Sequence, residues 1–358
     1  MFNLHNELMA FYEAHVRLGK VRSDELAAFR DNSLTRLNTG LDKLGEKNKR
    51  TYAYPDDFRN QGGYAMRTLN QARGNDYDID VGLLFYADDL PSSPKSARER
   101  IRDAFKETGG QFKEDPQARK NAVTIWYSTG QHLDFAIYRY VDDGYGNEII
   151  EHASGDTWVK RDPDSMKKWF DKRVADRSPK AATGSTVKDE QLRRIVRHVK
   201  YFAKSRAGWR MPGGMILTAL VDECYVANAH YDDEALARTL YAIQKRLAAN
   251  MTVRSPIDGS NLTEAQKRQT EIANFAAELT TPVNGLGVLW RDDCTRAQAR
   301  NAWRQLFNHD YWNAANDTAA KSLLGAASAA PTGGFSFPHH ERAPSRPQGF
   351  GSKPPGFG

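Results

Sequence analysis

Two aspartates stand two positions apart at the start of an apolar run, where Asp78-Ile79-Asp80 leads into residues 81–85. Because side chains alternate across a strand, Asp78 and Asp80 would point to the same face of a sheet. Two carboxylates on one face suit Mg²⁺ or Mn²⁺, hard cations that prefer oxygen ligands. The chemistry predicted is nucleotidyl transfer, since such ions neutralise phosphate charge and help an acceptor hydroxyl lose its proton.

A third carboxylate, Asp134, lies in the second of two segments with strand composition. Residues 123–127 are β-branched and aromatic, residues 128–131 have the composition of a turn, and residues 132–138 are a largely apolar return strand. Burying a carboxylate there is unfavourable unless it meets a cation, which favours a site shared with the first two aspartates. The alternative is an edge strand with Asp134 facing water. His132, on the same face, would either orient a metal-binding carboxylate or pack at the sheet edge.

Apolar spacing predicts the elements around these residues. A 3-4-3 spacing of leucines beyond Ser23 predicts a long N-terminal helix, and residues 96–108 are predicted to form a helix packed on a sheet spanning roughly residues 50–160. From about residue 163 onward, the apolar residues recur at the spacing of a helix. Lys200 lies beside the apolar stripe of one helix, where it is either poised at a cleft or covers apolar surface with its stem. Three large aromatics are predicted to lie in the core of this region: Trp303, Phe307 and Trp312.

The composition favours a cytoplasmic enzyme of two lobes. A chain of 358 residues can bury a large core, and its two cysteines, Cys224 and Cys294, suggest neither a disulfide framework nor a zinc site. We expect no membrane span, because no apolar stretch is long enough, and no signal segment. The net charge of +6 does not by itself indicate nucleic-acid binding, since acidic and basic residues are interleaved.

The order of Gln61-Gly62-Gly63, Asp78-Ile79-Asp80 and Asp134 resembles the bacterial cGAS/DncV-like nucleotidyltransferases, a family of the polymerase-β-like superfamily. The resemblance continues through the helix with Lys200 and covers most of the chain. It implies an α+β fold in which a polymerase-β-like nucleotidyltransferase sheet is joined to a long N-terminal spine helix and a C-terminal helical lobe.

The resemblance and the composition together divide the chain into three parts. Residues 1–162 would form the nucleotidyltransferase core with the spine helix, and residues 163–324 the helical lobe. Residues 325–358 are rich in glycine and proline and are expected to be a disordered tail.

The resemblance also implies roles for the site residues. The expected catalytic and metal-binding residues are Asp78, Asp80 and Asp134. The residues expected to line the donor phosphates are Gln61, Gly62, Gly63, Lys200 and Gly214. Family members carry serine where this chain has Gly63 and Gly214, so we expect weaker triphosphate binding, by roughly 0.5–1.5 kcal/mol for each lost hydroxyl.

The implied activity is template-independent synthesis of a cyclic oligonucleotide second messenger from ribonucleoside triphosphates, such as ATP and GTP, in antiphage signalling of the CBASS type. The messenger would act on a downstream effector, and a ubiquitin-transfer-like enzyme would conjugate the chain through its terminal Gly358. Two alternatives remain open: an enzyme that extends a linear RNA or oligonucleotide, and a non-catalytic nucleotide-binding regulator.

Overall fold

The computed structural model describes residues 1–71, 77–110, 112–180 and 190–313. The predicted tail at residues 325–358, together with Gly358, lies outside the described residues. No helix in the described ranges has both the length and the apolar composition that a membrane span requires.

A mixed sheet occupies the region between residues 57 and 160. Its strands are β1 (Asp57–Asn60), β2 (Asp78–Tyr86), β3 (Gln117–Ala118), β4 (Val123–Trp126), β5 (His132–Asp142), β6 (Glu148–Ser154) and β7 (Thr157–Lys160). They lie in the order β1-β2-β5-β4-β3, and β6 and β7 extend from the second half of β5. Only the central pair among them, β2 and β5, is parallel. The two strands predicted around the turn at residues 128–131 are therefore present as β4 and β5.

Helices precede the sheet, cover it and make up most of the described chain beyond it. They are α1 (His5–Phe11), α2 (Lys20–Asn48), α3 (Gly62–Ala65), α4 (Pro94–Glu107), α5 (Ser165–Arg177), α6 (Gln191–Lys204), α7 (Gly214–Cys224), α8 (Asp232–Ala249), α9 (Gln266–Gly285) and α10 (Arg296–Phe307). This content of sheet and helix confirms the predicted α+β class.

The expected long N-terminal helix is α2, which has 29 residues and begins before the predicted start at Ser23. Most of its leucine stripe is buried against the sheet region. At Gly40, an added Cβ atom would lie 2.0 Å from the backbone oxygen of Ala104 in α4. Glycine at this position therefore allows α2 and α4 to approach closely, and α4 in turn packs on the sheet.

The described residues form one compact unit with two apolar clusters. One cluster lies between the sheet, α2 and α4, and the other among α1 and the helices from α5 onward. Residues 4–16 supply side chains to the helical cluster although they precede α2, so the N-terminal segment contributes to both clusters. The predicted boundary at residue 162 stays a prediction. The three aromatics predicted in the core are indeed buried: Trp303, Phe307 and Trp312.

Candidate active site

The parallel pairing of β2 with β5 brings the three predicted aspartates together. Asp80 stands opposite Asp134 and Asp78 opposite His132 in the strand register. Carboxylate oxygens of Asp78, Asp80 and Asp134 all lie within 4.8 Å of one another. The alternative of an isolated Asp134 at a sheet edge is wrong, because β5 lies between β2 and β4.

Burial and the neighbouring carboxylates raise the pKa of two of these side chains, Asp80 and Asp134. Burial, followed by the charges of Asp78 and Asp134, raises the pKa of Asp80 to about 8. Burial likewise raises the pKa of Asp134, although a hydrogen bond donated by the Thr124 hydroxyl opposes that rise. A bound cation would favour the ionised forms of Asp80 and Asp134. The oxygen donor set therefore fits Mg²⁺ or Mn²⁺.

His132 lies beside the carboxylates and does not simply pack at the sheet edge. Its Nε2 atom is 3.2 Å from Oδ1 of Asp78, and both side chains are partly exposed. This contact follows from the strand register, which places the two residues opposite each other. The geometry therefore favours the interpretation in which His132 orients Asp78.

The backbone of Gly62 lies directly against Asp80. Gly62 has a φ of +57°, and an added Cβ atom would lie 1.7 Å from Oδ2 of Asp80. No residue with a side chain fits in this conformation. Gly62, the first residue of α3, therefore lies within van der Waals reach of Asp80, one of the predicted metal-binding carboxylates.

Gln61 donates three hydrogen bonds. Its backbone N–H donates to the carbonyl oxygen of Asp80 at 2.9 Å, and its side-chain amide donates to the Tyr138 hydroxyl at 2.9 Å and to the carbonyl of Pro163 at 3.1 Å. The side chain thus links the turn before α3 to β5 and to the start of the helical region. The predicted contact of Gln61 with phosphate stays a prediction. In the structure its amide nitrogen donates to other residues of the protein.

Lys200 is buried in α6 and points toward the glycine turn. Its Nζ atom donates a 2.7 Å hydrogen bond to Oγ1 of Thr68, and Thr68 Oγ1 lies 3.5 Å from the carbonyl oxygen of Gly63. Burial, followed by the nearby cations Lys204 and Arg197, lowers the pKa of Lys200 to about 7. The amine does not reach out to water, so the cleft interpretation is favoured over that of a lysine covering apolar surface.

Gly214, the first residue of α7, lies against the same lysine. An added Cβ atom there would be 3.2 Å from Nζ of Lys200. The structure therefore places Gly214, Lys200 and Gly63 in one neighbourhood, with Thr68 between the lysine and Gly63. The described geometry is consistent with a phosphate-binding role for this group, which stays a prediction.

Residues 66–70 join the glycine turn to α6. Arg193 donates to the carbonyl oxygen of Met66, and the Asn70 side chain donates to the carbonyl oxygen of Arg197 at 3.0 Å. With the Thr68–Lys200 bond included, three hydrogen bonds join these five residues to α6. No sequence pattern singles out Thr68, because only the placement of α6 reveals its partner. Thr124, opposite Asp134 in the register, could have been identified by aligning the two predicted strands across their turn.

Comparisons with known proteins agree with this geometry. The sequence model of the family described as "Cyclic GMP-AMP synthase DncV-like, nucleotidyltransferase domain" matches residues 56–138, which include the three aspartates and the glycine turn. A cyclic GMP-AMP synthase of Escherichia albertii is 26% identical over an alignment of 239 positions, and the match covers 64% of this chain and 50% of that protein. The chain thus spans about half the length of the curated relative it matches.

Solved structures of Vibrio cholerae DncV share the fold. The complex of this cyclic AMP-GMP synthase with the linear intermediate 5′ pppA(3′,5′)pG has a TM-score of 0.62 and 15% identity, and the similarity covers 86% of this chain and 97% of DncV. The GTP-bound form has a TM-score of 0.63 and 16% identity, covering 86% and 96%. This similarity confirms the expected polymerase-β-like fold.

Proposed function

We propose that this chain is a member of the bacterial cGAS/DncV-like nucleotidyltransferases, and that it joins ribonucleotides from their triphosphates into a cyclic oligonucleotide. The observation that carries the proposal is the convergence of Asp78, Asp80 and Asp134 beside the Gly62 turn. Support for a cyclic dinucleotide comes from the Escherichia albertii relative, which is named a cyclic GMP-AMP synthase. The DncV complexes with GTP and with a linear ApG intermediate support ATP and GTP as substrates.

The residues divide into three roles. Asp78 and Asp80 would hold Mg²⁺ or Mn²⁺, and a bound cation there supplies charge neutralisation at the α-phosphate and pyrophosphate. Asp134, held by Thr124, would accept the proton of the acceptor hydroxyl. Lys200 would keep its bond to Thr68 and donate its remaining N–H groups to the donor phosphates, where the negative charge favours its protonated form.

The donor phosphates would lie against backbone and not against hydroxyls. Glycine at 62 and 63 allows main-chain N–H groups to approach phosphate closely. Gly214 leaves room beside the lysine for the same reason. We propose that this arrangement keeps the donor site functional, with weaker binding than in relatives that carry serine at these positions.

The test is product formation by purified protein supplied with four labelled ribonucleoside triphosphates and Mg²⁺ or Mn²⁺, with phosphatase-resistant products resolved by mass. A cyclic product is expected from the unaltered protein and not from the Asp78→Asn/Asp80→Asn variant. The matched control is Asp88→Asn/Asp89→Asn, which changes two exposed acids just after the same strand and should leave the product unchanged.

Other outcomes of this experiment separate the alternatives. Labelling of added RNA without a cyclic product would favour linear extension. Nucleotide binding with no product under any condition would favour a regulator, although the intact carboxylate triad argues against that interpretation. Cyclic product from the Asp78→Asn/Asp80→Asn variant would contradict the proposed site.

We also propose that the product acts in antiphage signalling in the cytoplasm through an effector that binds it. The test is survival of cells challenged with phage when they carry this chain with its neighbouring genes, compared with cells carrying the Asp80→Asn variant. Equal protection by both proteins would contradict this proposal, because it would show that defence does not need the nucleotidyltransferase activity.

The C-terminal glycine is proposed to be conjugated by a ubiquitin-transfer-like enzyme. A terminal glycine carboxylate has no side chain to hinder entry into a narrow adenylation site. Deleting Gly358 from the full chain is expected to abolish the covalent adduct formed with such an enzyme and ATP. Deleting Ser352 keeps the terminus and should leave the adduct intact; an adduct that survives loss of Gly358 would contradict the proposal.

A further inference from the structure

One large aromatic side chain on the sheet lies outside both apolar clusters and faces the active site. Trp126, at the end of β4, is half-buried and belongs to neither cluster. The alternate residues on the same strand, Val123 and Ile125, are fully buried on the opposite face. Packing in the core therefore does not account for Trp126.

The strand register fixes the face on which Trp126 lies. Trp126 is the cross-strand partner of His132, and Thr124 is the partner of Asp134. Partners directly opposite in a sheet point to the same face. Since His132 contacts Asp78 and Thr124 donates to Asp134, Trp126 shares the face of the carboxylates, two strand spacings or about 10 Å from Asp78.

Arg119, in the turn between β3 and β4, completes the surface. Its guanidinium carbon lies 4.6 Å from the centroid of the Trp126 ring, and the side chain is exposed. Indole rings and guanidinium planes are the surfaces on which proteins stack bases without regard to sequence. The pair lies on the Asp134 side of the site, whereas Gly62 and Lys200 approach from the Asp80 side.

We propose that Trp126 and Arg119 form the subsite that stacks the base of the acceptor nucleotide. This inference rests on the proposed function, because it takes Asp134 as the group that receives the acceptor proton. A nucleotide whose sugar hydroxyl lies at Asp134 would extend its base over β4 toward this pair. Stacking of this kind tolerates more than one base, so the subsite would position the acceptor more than it selects the base.

The experiment separates acceptor from donor by supplying the acceptor as a nucleoside 5′-monophosphate, which has no triphosphate and cannot act as donor. The donor is a labelled 2′,3′-dideoxynucleoside triphosphate, which has no acceptor hydroxyl, and it is held saturating while the monophosphate is varied. Trp126→Ala is expected to raise the acceptor KM by about 5- to 150-fold, the range for loss of one stacked base, with the donor KM unchanged. Trp126→Phe should recover most of the loss, whereas Trp126→Leu should not.

A second aromatic pair supplies the matched control. The guanidinium carbon of Arg139, on β5, lies 4.2 Å from the ring centroid of Trp158, on β7, and the Trp158 indole donates to the Ser92 carbonyl. Trp158→Phe should leave both KM values unchanged. Arg119→Gln, which keeps the indole, should raise the acceptor KM by less than Trp126→Ala and gives a second test if the alanine variant does not fold.

The outcomes distinguish this inference from the proposed function. An active unaltered protein whose acceptor KM is unchanged in Trp126→Leu and Arg119→Gln would overturn the subsite alone. Equal rises in donor and acceptor KM would also overturn it, because they indicate a structural role. An unaltered protein that neither reacts with nor binds triphosphates would overturn the proposed function and the subsite with it.

Discussion

The two sides of the active site are built differently. On the side of Asp80, the surface consists of the backbone at Gly62 and a buried lysine held by Thr68. On the side of Asp134, it consists of side chains from β4 and the turn before it, and these become more exposed with distance from the carboxylate. A surface made of backbone tolerates almost no change of residue, whereas a surface made of side chains can be adjusted one group at a time. We therefore expect substitutions on the Asp80 side to abolish most activity, and substitutions on the Asp134 side to reduce it by graded amounts.

The largest effect is expected from Gly62→Ala, because the new methyl group would collide with the Asp80 carboxylate. Moving a catalytic carboxylate by about 1 Å can reduce activity on the order of 100-fold, and we expect at least that loss in kcat/KM. Gly259→Ala is the control, since Gly259 also has a positive φ, +71°, but no atom lies within 4 Å of its added Cβ. If both variants lost equal activity, backbone strain and not the contact with Asp80 would be the cause.

The second prediction concerns Asp80, where the two sides meet. Its pKa of about 8 in the folded protein exceeds the usual value near 3.9 in an unfolded chain. Between these values the folded state holds the proton more tightly, so in EDTA the contribution of Asp80 to stability is full below about pH 4 and is lost as the pH rises toward 8. Mg²⁺ or Mn²⁺ should restore stability at pH 8 by binding the ionised carboxylates.

Calorimetry of the unaltered protein and of Asp80→Asn at pH 5 and pH 8 measures this effect. We expect the melting temperature of the unaltered protein in EDTA to fall more between the two pH values than that of the variant. The added metal should stabilise the variant less. Parallel pH dependence in the two proteins would show that Asp80 does not carry the raised pKa.

Strand alternation was sufficient to predict much of this site. It identified Asp78 and Asp80 as neighbours, because a period of two fixes the face of a strand residue, and the cost of burying a carboxylate in an apolar strand identified Asp134 as their partner. It could not find the contact between Thr68 and Lys200, which are 132 positions apart and meet only through the packing of α6. Residues 4–16 likewise pack among the helices, which no local pattern could indicate. Helix ends shifted for local reasons: α4 begins at Pro94 and not at residue 96, because the Ser93 hydroxyl caps it.

A third prediction tests whether Thr68 positions the lysine on the donor side. Thr68→Val keeps the shape of the side chain and removes the hydroxyl that accepts from Lys200. A hydrogen bond to a charged group contributes about 1.5–3 kcal/mol, so we expect the donor KM to rise by at least about tenfold, with a smaller change in kcat. Thr68→Ser should restore the KM. Thr239→Val, which removes a buried hydroxyl that accepts from the Val226 N–H far from the site, should lower stability and leave the donor KM unchanged.

The smallest effect is expected from returning a hydroxyl to the glycine turn. Gly63→Ser would offer the donor phosphates one more hydrogen bond, worth roughly 0.5–1.5 kcal/mol, and so lower the donor KM by about two- to tenfold. The added Cβ would lie 2.8 Å from Cδ2 of Leu69, so the leucine end must move first. Gly63→Ser/Leu69→Val makes that room and should lower the KM further than Gly63→Ser alone, after correction for Leu69→Val measured by itself. If the donor KM rises even in Gly63→Ser/Leu69→Val, the prediction is wrong. That result would mean that the donor contacts the backbone of Gly63 and that a side chain there obstructs it.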